Sequence, residues 1–249
     1  MAKSTFVKTL LKEPYYGYQN RDGSTKIPSY KEVIKQLLSS INVFGTQRQR
    51  TVFTMFFFLD LTAICALIFF TNYLTVYGVL YAIIVGLVAG HIYNTIWHHR
   101  YCSHSAFKLV NPKYALLFSW TDPLFFSEDN YALPHLVHHA KADKAGDPYG
   151  PQIGWLASFL GPYINTSIDA DISEDSFERI KKRISHINLK TVNYAHFKRH
   201  GVIEGYSGFL SRKVVAQILW IGFSYYLGGV VFVFAYLTAV FITISIVLP

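Results

Sequence analysis

Three stretches of this chain are too apolar for a solvated surface and too long for an ordinary core element. Val52 to Thr71 is broken only by Asp60, while Leu74 to Trp97 and Val214 to Leu248 carry no formal charge. A helix needs roughly 20 apolar residues to cross a bilayer. Inside lipid the backbone must satisfy its own hydrogen bonds, which leaves helices or closed barrels. The short Asn72-Tyr73 break predicts that the first two runs form a tight hairpin. At ~1.5 Å per residue the third run would extend about 52 Å as one helix, against a hydrocarbon core of roughly 30 Å. Gly228-Gly229 offers a break. The expectation is therefore an all-α integral membrane protein with four transmembrane helices as two hairpins, one long tilted helix being the alternative for the third run.

The charges follow the same division. Only 15% of the residues are charged, against about 25% in a soluble domain. All 23 Lys and Arg lie before Val52 or between Trp97 and Val214, and they produce the net charge of +8. With four crossings both basic regions fall on one side, which the positive-inside rule makes cytoplasmic. The basic excess then reflects topology and attraction to anionic membrane lipid. No basic stripe with interleaved stacking aromatics points to nucleic acid. The predicted organisation is an N-terminal cytoplasmic arm over 1–51, a transmembrane hairpin over 52–97, a cytoplasmic region over 98–213 and a second hairpin over 214–249.

Met1 to Glu13 lacks the apolar core of a signal peptide. Its Phe6, Val7, Leu10 and Leu11 share a helical face, so it reads as a membrane-surface segment or as a polar arm. Asp60, near the middle of the first crossing, marks either the buried end of a substrate tunnel or a helix contact toward Thr62 and a neighbouring helix. The apolar patch from Tyr114 to Phe126 is interrupted by Asp122 and Pro123, and is placed along the interface or under a cap. Cys65 and Cys102 are too few for a disulfide framework.

The ten histidines carry the chemistry. One group runs His98-His99-Arg100-Tyr101-Cys102-Ser103-His104 and a second His135-Leu136-Val137-His138-His139. On a helix His135, His138 and His139 stand at i, i+3 and i+4, one narrow face. Convergent neutral imidazoles suit Zn, Cu, Fe or Ni, and the scarcity of cysteine disfavours thiolate zinc or an iron–sulfur cluster. His99 and His104 are five apart and do not share an α-helical face, so the first box is expected where the second transmembrane helix unwinds. Periodicity does not choose between His98 and His99.

The two boxes, His99 to His104 in the form HxxxxH and His135 to His139 in the form HxxHH, resemble those of membrane fatty acid desaturases of the stearoyl, delta-9 type. Asp147-Pro148 and Gly154-Trp155 resemble the residues that come after the second box in that family, and the likeness covers roughly residues 50–248. It implies two non-haem irons ligated by histidines, here His99, His104, His135, His138 and His139, in a cytoplasmic helical cap. It also implies O2 as co-substrate, a fatty acyl substrate as CoA thioester or lipid, and a small electron-transfer protein of the cytochrome b5 or ferredoxin type. The protein would be a multi-pass enzyme of a bacterial inner membrane or the endoplasmic reticulum. The oxidant is the cofactor's, while the protein supplies position and a dry cavity.

The family's third histidine box is not found before Pro249. The expectation is a chain incomplete at its C-terminal end, possessing too few ligands and inactive as it stands. The alternatives are a degenerate family member without catalytic activity and a related membrane di-iron hydroxylase. His196 and His200, at i and i+4, are the further imidazoles that could lend ligands. Pro134 and Leu136 replace the family's aromatic and arginine around His135, so the resemblance carries no thioester head-group contacts over.

Overall fold

The computed structural model describes residues 6, 7 and 9–247. They are helical apart from loops and isolated bridges such as Leu11–Ile168 and Thr191–Glu204. α1 spans Tyr30–Ser40 and α2 Gln47–Asn72; both begin in full capping boxes, at Ser29 with Glu32 and at Thr46 with Gln49. α3, Val76–Leu87, continues without interruption as a π-helix, π1, over Val88–Ser103. Then come α4 (Lys113–Thr121), α5 (Glu128–Lys141), α6 (Trp155–Ile164), α7 (Glu174–Ile184), α8 (Tyr194–His200) and α9 (Tyr206–Val247).

Three helical lengths are long and apolar enough to cross a membrane: Gln47–Asn72, Val76–Ser103 and Tyr206–Ile246. The last is not straight. Gly228 (φ −156°, ψ 23°) and Gly229 (φ 63°, ψ −151°) leave helical geometry. Across them Trp220 stacks on Tyr236 with centroids 5.7 Å apart, and Tyr236 Oη donates to Gln217 Oε1 at 2.7 Å. A straight helix at ~1.5 Å per residue would hold either pair more than about 20 Å apart, so α9 folds back on itself as a hairpin. Tyr73 stacks on Phe234 at 5.0 Å and Tyr81 on Phe232 at 4.3 Å. The α2–α3 turn and the Gly228-Gly229 turn therefore lie at the same end. At the other end the Tyr206 amide donates to Gln47 Oε1 at 3.0 Å, and the polar segment packs there.

Gly229 occupies backbone space that is essentially glycine-only, and a Cβ on Gly228 would stand 2.4 Å from the Phe232 ring. Gly229→Ala is expected to cost about 1–3 kcal/mol, read as a lower unfolding temperature in detergent. An unchanged transition would show that the turn relaxes.

Several expectations change. The N-terminal stretch turns its apolar residues into the protein: Leu10 and Leu11 are buried, and Arg179 lies 4.7 Å over the Phe6 ring; Lys3 and Lys8 fall outside the described residues. Asp60 is exposed on the outer side of α2 among Phe57, Leu61 and Ile64, with no hydrogen-bond partner among the described residues, while Thr62 bonds its own helix at Leu59 O, 2.9 Å. Asp60 thus forms no hydrogen bond toward Thr62, and the element its charge reaches is α6, where it adds to the burial that raises the Tyr163 hydroxyl. The 114–126 patch is split: α4 lies against α9, where Trp220 Nε1 donates to Thr121 O at 2.7 Å, and Leu124 to Phe126 are core. Asn165, which opens the glycosylation sequon Asn165-Thr166-Ser167, is buried; it accepts from Tyr16 Oη at 2.8 Å and donates to Pro148 O at 2.9 Å.

Candidate metal centre

π1 explains how the first histidine pair acts together. A π-helix closes i→i+5 hydrogen bonds, and such geometry is concentrated at functional sites. Here His104 N donates to His99 O at 3.2 Å, and the Thr95 and Ser103 hydroxyls bond the carbonyls five residues back, at 3.0 and 2.9 Å. The five-residue spacing that separates His99 from His104 on an α-helix stacks them on a π-helix, with ring centroids 4.7 Å apart. The expected unwinding is a widening instead. Tyr93, Trp97 and Tyr101, buried on the same helix, anchor the opposite side.

α5 brings the second box to this face. Glu128 and Asp129 stand in its first turn and His138, His139 and Lys141 in its last, which suits the helix dipole at both ends. His99, His104, His135 and His139 converge, with one ligand nitrogen from each lying within 4.8 Å of the others. His135 and His139 approach closest, Nε2 to Nε2 at 3.0 Å. Three of the four are half-buried and His139 is exposed. Burial first, then neighbouring His99 and His139, pushes His135 down to about 3; burial and the same two neighbours lower His104. Burial likewise lowers His99, so these three rings favour the neutral form, the one that binds a metal.

His138 stands beside this group. Its Nδ1 lies 2.9 Å from both oxygens of buried Asp147, whose hydrogen bond raises its pKa, and its ring stacks on Tyr149 at 4.9 Å. Asp147 is fixed by the amides of Asp143 and Tyr149, at 2.9 and 3.2 Å. A carboxylate on one ring nitrogen is the usual support of a ligating histidine, and it leaves His138 Nε2 free. This is the physical role of the Asp147-Pro148 pair noted in the sequence.

The choice left open by periodicity is made by side-chain direction. His99 faces the group, whereas fully buried His98 turns away and bonds Asp122 Oδ2 through Nε2 at 2.8 Å. His196 and His200 pair with each other, ring centroids 4.5 Å apart, and do not join the four. Four imidazoles form a donor set that fits one first-row transition ion such as Zn, Cu, Fe or Ni. His138 stands outside this set with Asp147 on its Nδ1, and no second group of three or more convergent donors is found among the described residues.

Two features escape sequence reading. Tyr131 stacks on His135 at 5.5 Å, and Tyr149 Oη stands 3.5 Å from His135 Nδ1. Beside them lies a cavity of about 160 Å³ bounded by His135, His138, Tyr131, Phe126, Met55 and Pro162. Beneath α5 lies a buried ion network: Arg212 bridges Glu128 and Glu204, and Lys213 reaches Asp122. The acidic pair opening the histidine helix was its sequence signal; Arg212-Lys213 read only as topology. No protein-family model, no curated protein and no solved structure matches this chain.

Proposed function

We propose that this protein is a membrane-bound non-haem iron enzyme that desaturates a fatty acyl chain. The observation that carries the reading is the convergence of His99, His104, His135 and His139, drawn from both boxes, against a small, largely apolar cavity. In this reading the α9 hairpin supplies the third and fourth crossings. The histidine end faces the cytoplasm, where the basic residues lie, and a small electron-transfer protein docks there.

The four converging imidazoles would hold one iron, with His138, oriented by Asp147, standing beside them. Iron with O2 and two supplied electrons provides the oxidising power to remove two hydrogens from adjacent carbons, O2 leaving as water. The chain's own residues do the rest. Met55, Phe126 and Pro162 confine an unbranched apolar segment and keep water from it. Tyr131 and Tyr149 pack His135 and His138 into fixed orientations, and His135 stays unprotonated at neutral pH.

The test is expression in a host whose membrane lipids are analysed by gas chromatography and mass spectrometry, beside metal analysis of the purified protein. A new double bond, lost in His135→Ala, is the result this reading requires, and it would set aside the sequence expectation of a chain inactive as it stands. An unchanged lipid profile from iron-loaded protein supplied with reductant and O2 would overturn the reading; a hydroxylated product would replace desaturation by oxygen insertion.

A further inference from the structure

The cavity beside the histidines carries information about what its substrate is attached to. Its lining contains no Lys, Arg, Asp or Glu. The nearest cation is already engaged: buried Arg48 donates to Asn130 and Thr166, both of which line the cavity. A carrier bearing several phosphates has no counter-charge at this mouth, and burying unpaired phosphate is costly.

The basic residues that could serve such a carrier lie elsewhere. Arg179, Lys182 and Arg183 line a separate groove together with Leu133 and Leu136. On α5 Leu133 stands about 160° from His135 and about 140° from His138, and Leu136 about 100° and 160°, at about 100° per residue. An acyl chain whose head rests in that groove would have to bend around α5 to reach the cavity.

Two walls of the cavity come from α2 and α6. Met55 lies just inside the apolar run of α2. Pro162 lies on α6, which packs on α2 through Tyr163 and Phe56, ring centroids 5.5 Å apart. α6 turns Trp155, 68% exposed, outward, and the Trp155 indole donates to Tyr30 Oη at 3.1 Å. Tyr30, Ile34 and Leu38 of α1 continue that exposed apolar surface, beside exposed Lys31 and Lys35. Trp and Tyr beside lysines are the composition of a membrane–water interface.

We infer that the substrate is an acyl chain ester-linked to a membrane lipid, entering the cavity from the bilayer between α2 and α6, and not a water-soluble polyanionic acyl thioester. The inference rests on the acyl-chain reading above and names its substrate class. The lipid head stays in the headgroup layer at the α1–α6 surface, while the chain reaches past Met55 and Pro162 to His135 and His138.

The test needs no turnover. The protein in proteoliposomes is photolysed with phosphatidylcholine carrying a mid-chain diazirine and, separately, with the corresponding diazirine acyl-CoA; adducts are mapped by mass spectrometry. Adducts at Met55, Phe126 or Pro162 are expected from the phospholipid, several-fold above those from acyl-CoA, and reduced several-fold by Met55→Trp. Competition with unlabelled phospholipid against unlabelled acyl-CoA repeats the comparison without a substitution. Labelling of the cavity by acyl-CoA alone would overturn the lipid-linked class and leave the acyl reading standing. Labelling by neither probe would overturn both.

Discussion

Replacing His135 by alanine removes the metal from the histidine centre. His135 packs against all three other converging rings: 4.7 Å from His99, 5.2 Å from His104 and 4.6 Å from His139. It is also the ring most completely held neutral, since burial and four neighbouring imidazoles oppose its protonation. Losing it leaves three donors and a void at the most buried point of the group. Loss of an outer partner of a metal ligand typically lowers affinity roughly 10–100-fold, and loss of the ligand itself costs more. The expected contrast is with His138→Ala. That ring is tied to Asp147 and stands outside the four, so the principal ion stays bound while any second ion is lost. His196→Ala and His200→Ala leave metal content unchanged. Metal analysis after a chelator challenge, with the absorption spectrum of the Co(II) form, separates these cases. Equal metal loss in His138→Ala and His135→Ala would show that the ions share one set of ligands and that the four-histidine grouping is not the functional unit.

The sequence displayed the parts of this centre better than their arrangement. Runs of uncharged residues reveal membrane-length helices because composition alone decides solubility in lipid, and the Gly228-Gly229 break was legible because few other residues turn a helix so tightly. His135 and His139 were legible because helical periodicity places them together. His104 was named by the family resemblance and not by periodicity, since its partnership with His99 depends on a π-helix, whose i→i+5 ladder is stabilised by backbone and hydroxyl contacts that leave no compositional mark. The preference for His99 over His98 rests on Asp122, 24 residues away in sequence from His98, and no local pattern reports a contact of that range. Leu10 and Leu11 show the reverse error: an amphipathic face reveals that something apolar covers it, without saying whether that is lipid or protein.

Arg212→Met is expected to destabilise the protein by about 3–5 kcal/mol, the usual consequence of stranding a buried charge. For a chain of this size that corresponds to a fall in unfolding temperature on the order of 10 °C. The network beneath α5 sets two cations, Arg212 and Lys213, against three buried carboxylates, Asp122, Glu128 and Glu204. Arg212 Nη1 and Nη2 hold Glu128 at 2.7 and 3.0 Å, and Ser119 adds a bond to Glu128 at 2.8 Å. Burial would raise the Glu128 carboxyl, but Arg212 and Lys213 outweigh it and keep the group ionised. Glu204 is the surplus carboxylate. Burial pushes it up to about 7, with the Glu128 charge opposing the pull of Arg212. The two acids should therefore respond differently. Glu128→Gln strands positive charge against the start of the histidine helix and lowers both stability and metal affinity, whereas Glu204→Gln resembles the protonated form and is tolerated. The pH dependence has a definite sign. A carboxyl whose folded pKa lies above its unfolded value stabilises fully below the unfolded value, and that contribution is lost as pH rises through the folded one. Wild-type stability from this group should decline from about pH 4.5 to 7, and Glu204→Gln should flatten the decline. Unfolding temperatures measured in detergent across that range provide the comparison, and a Glu204→Gln variant as unstable as Glu128→Gln would show that both carboxylates are charged partners of Arg212.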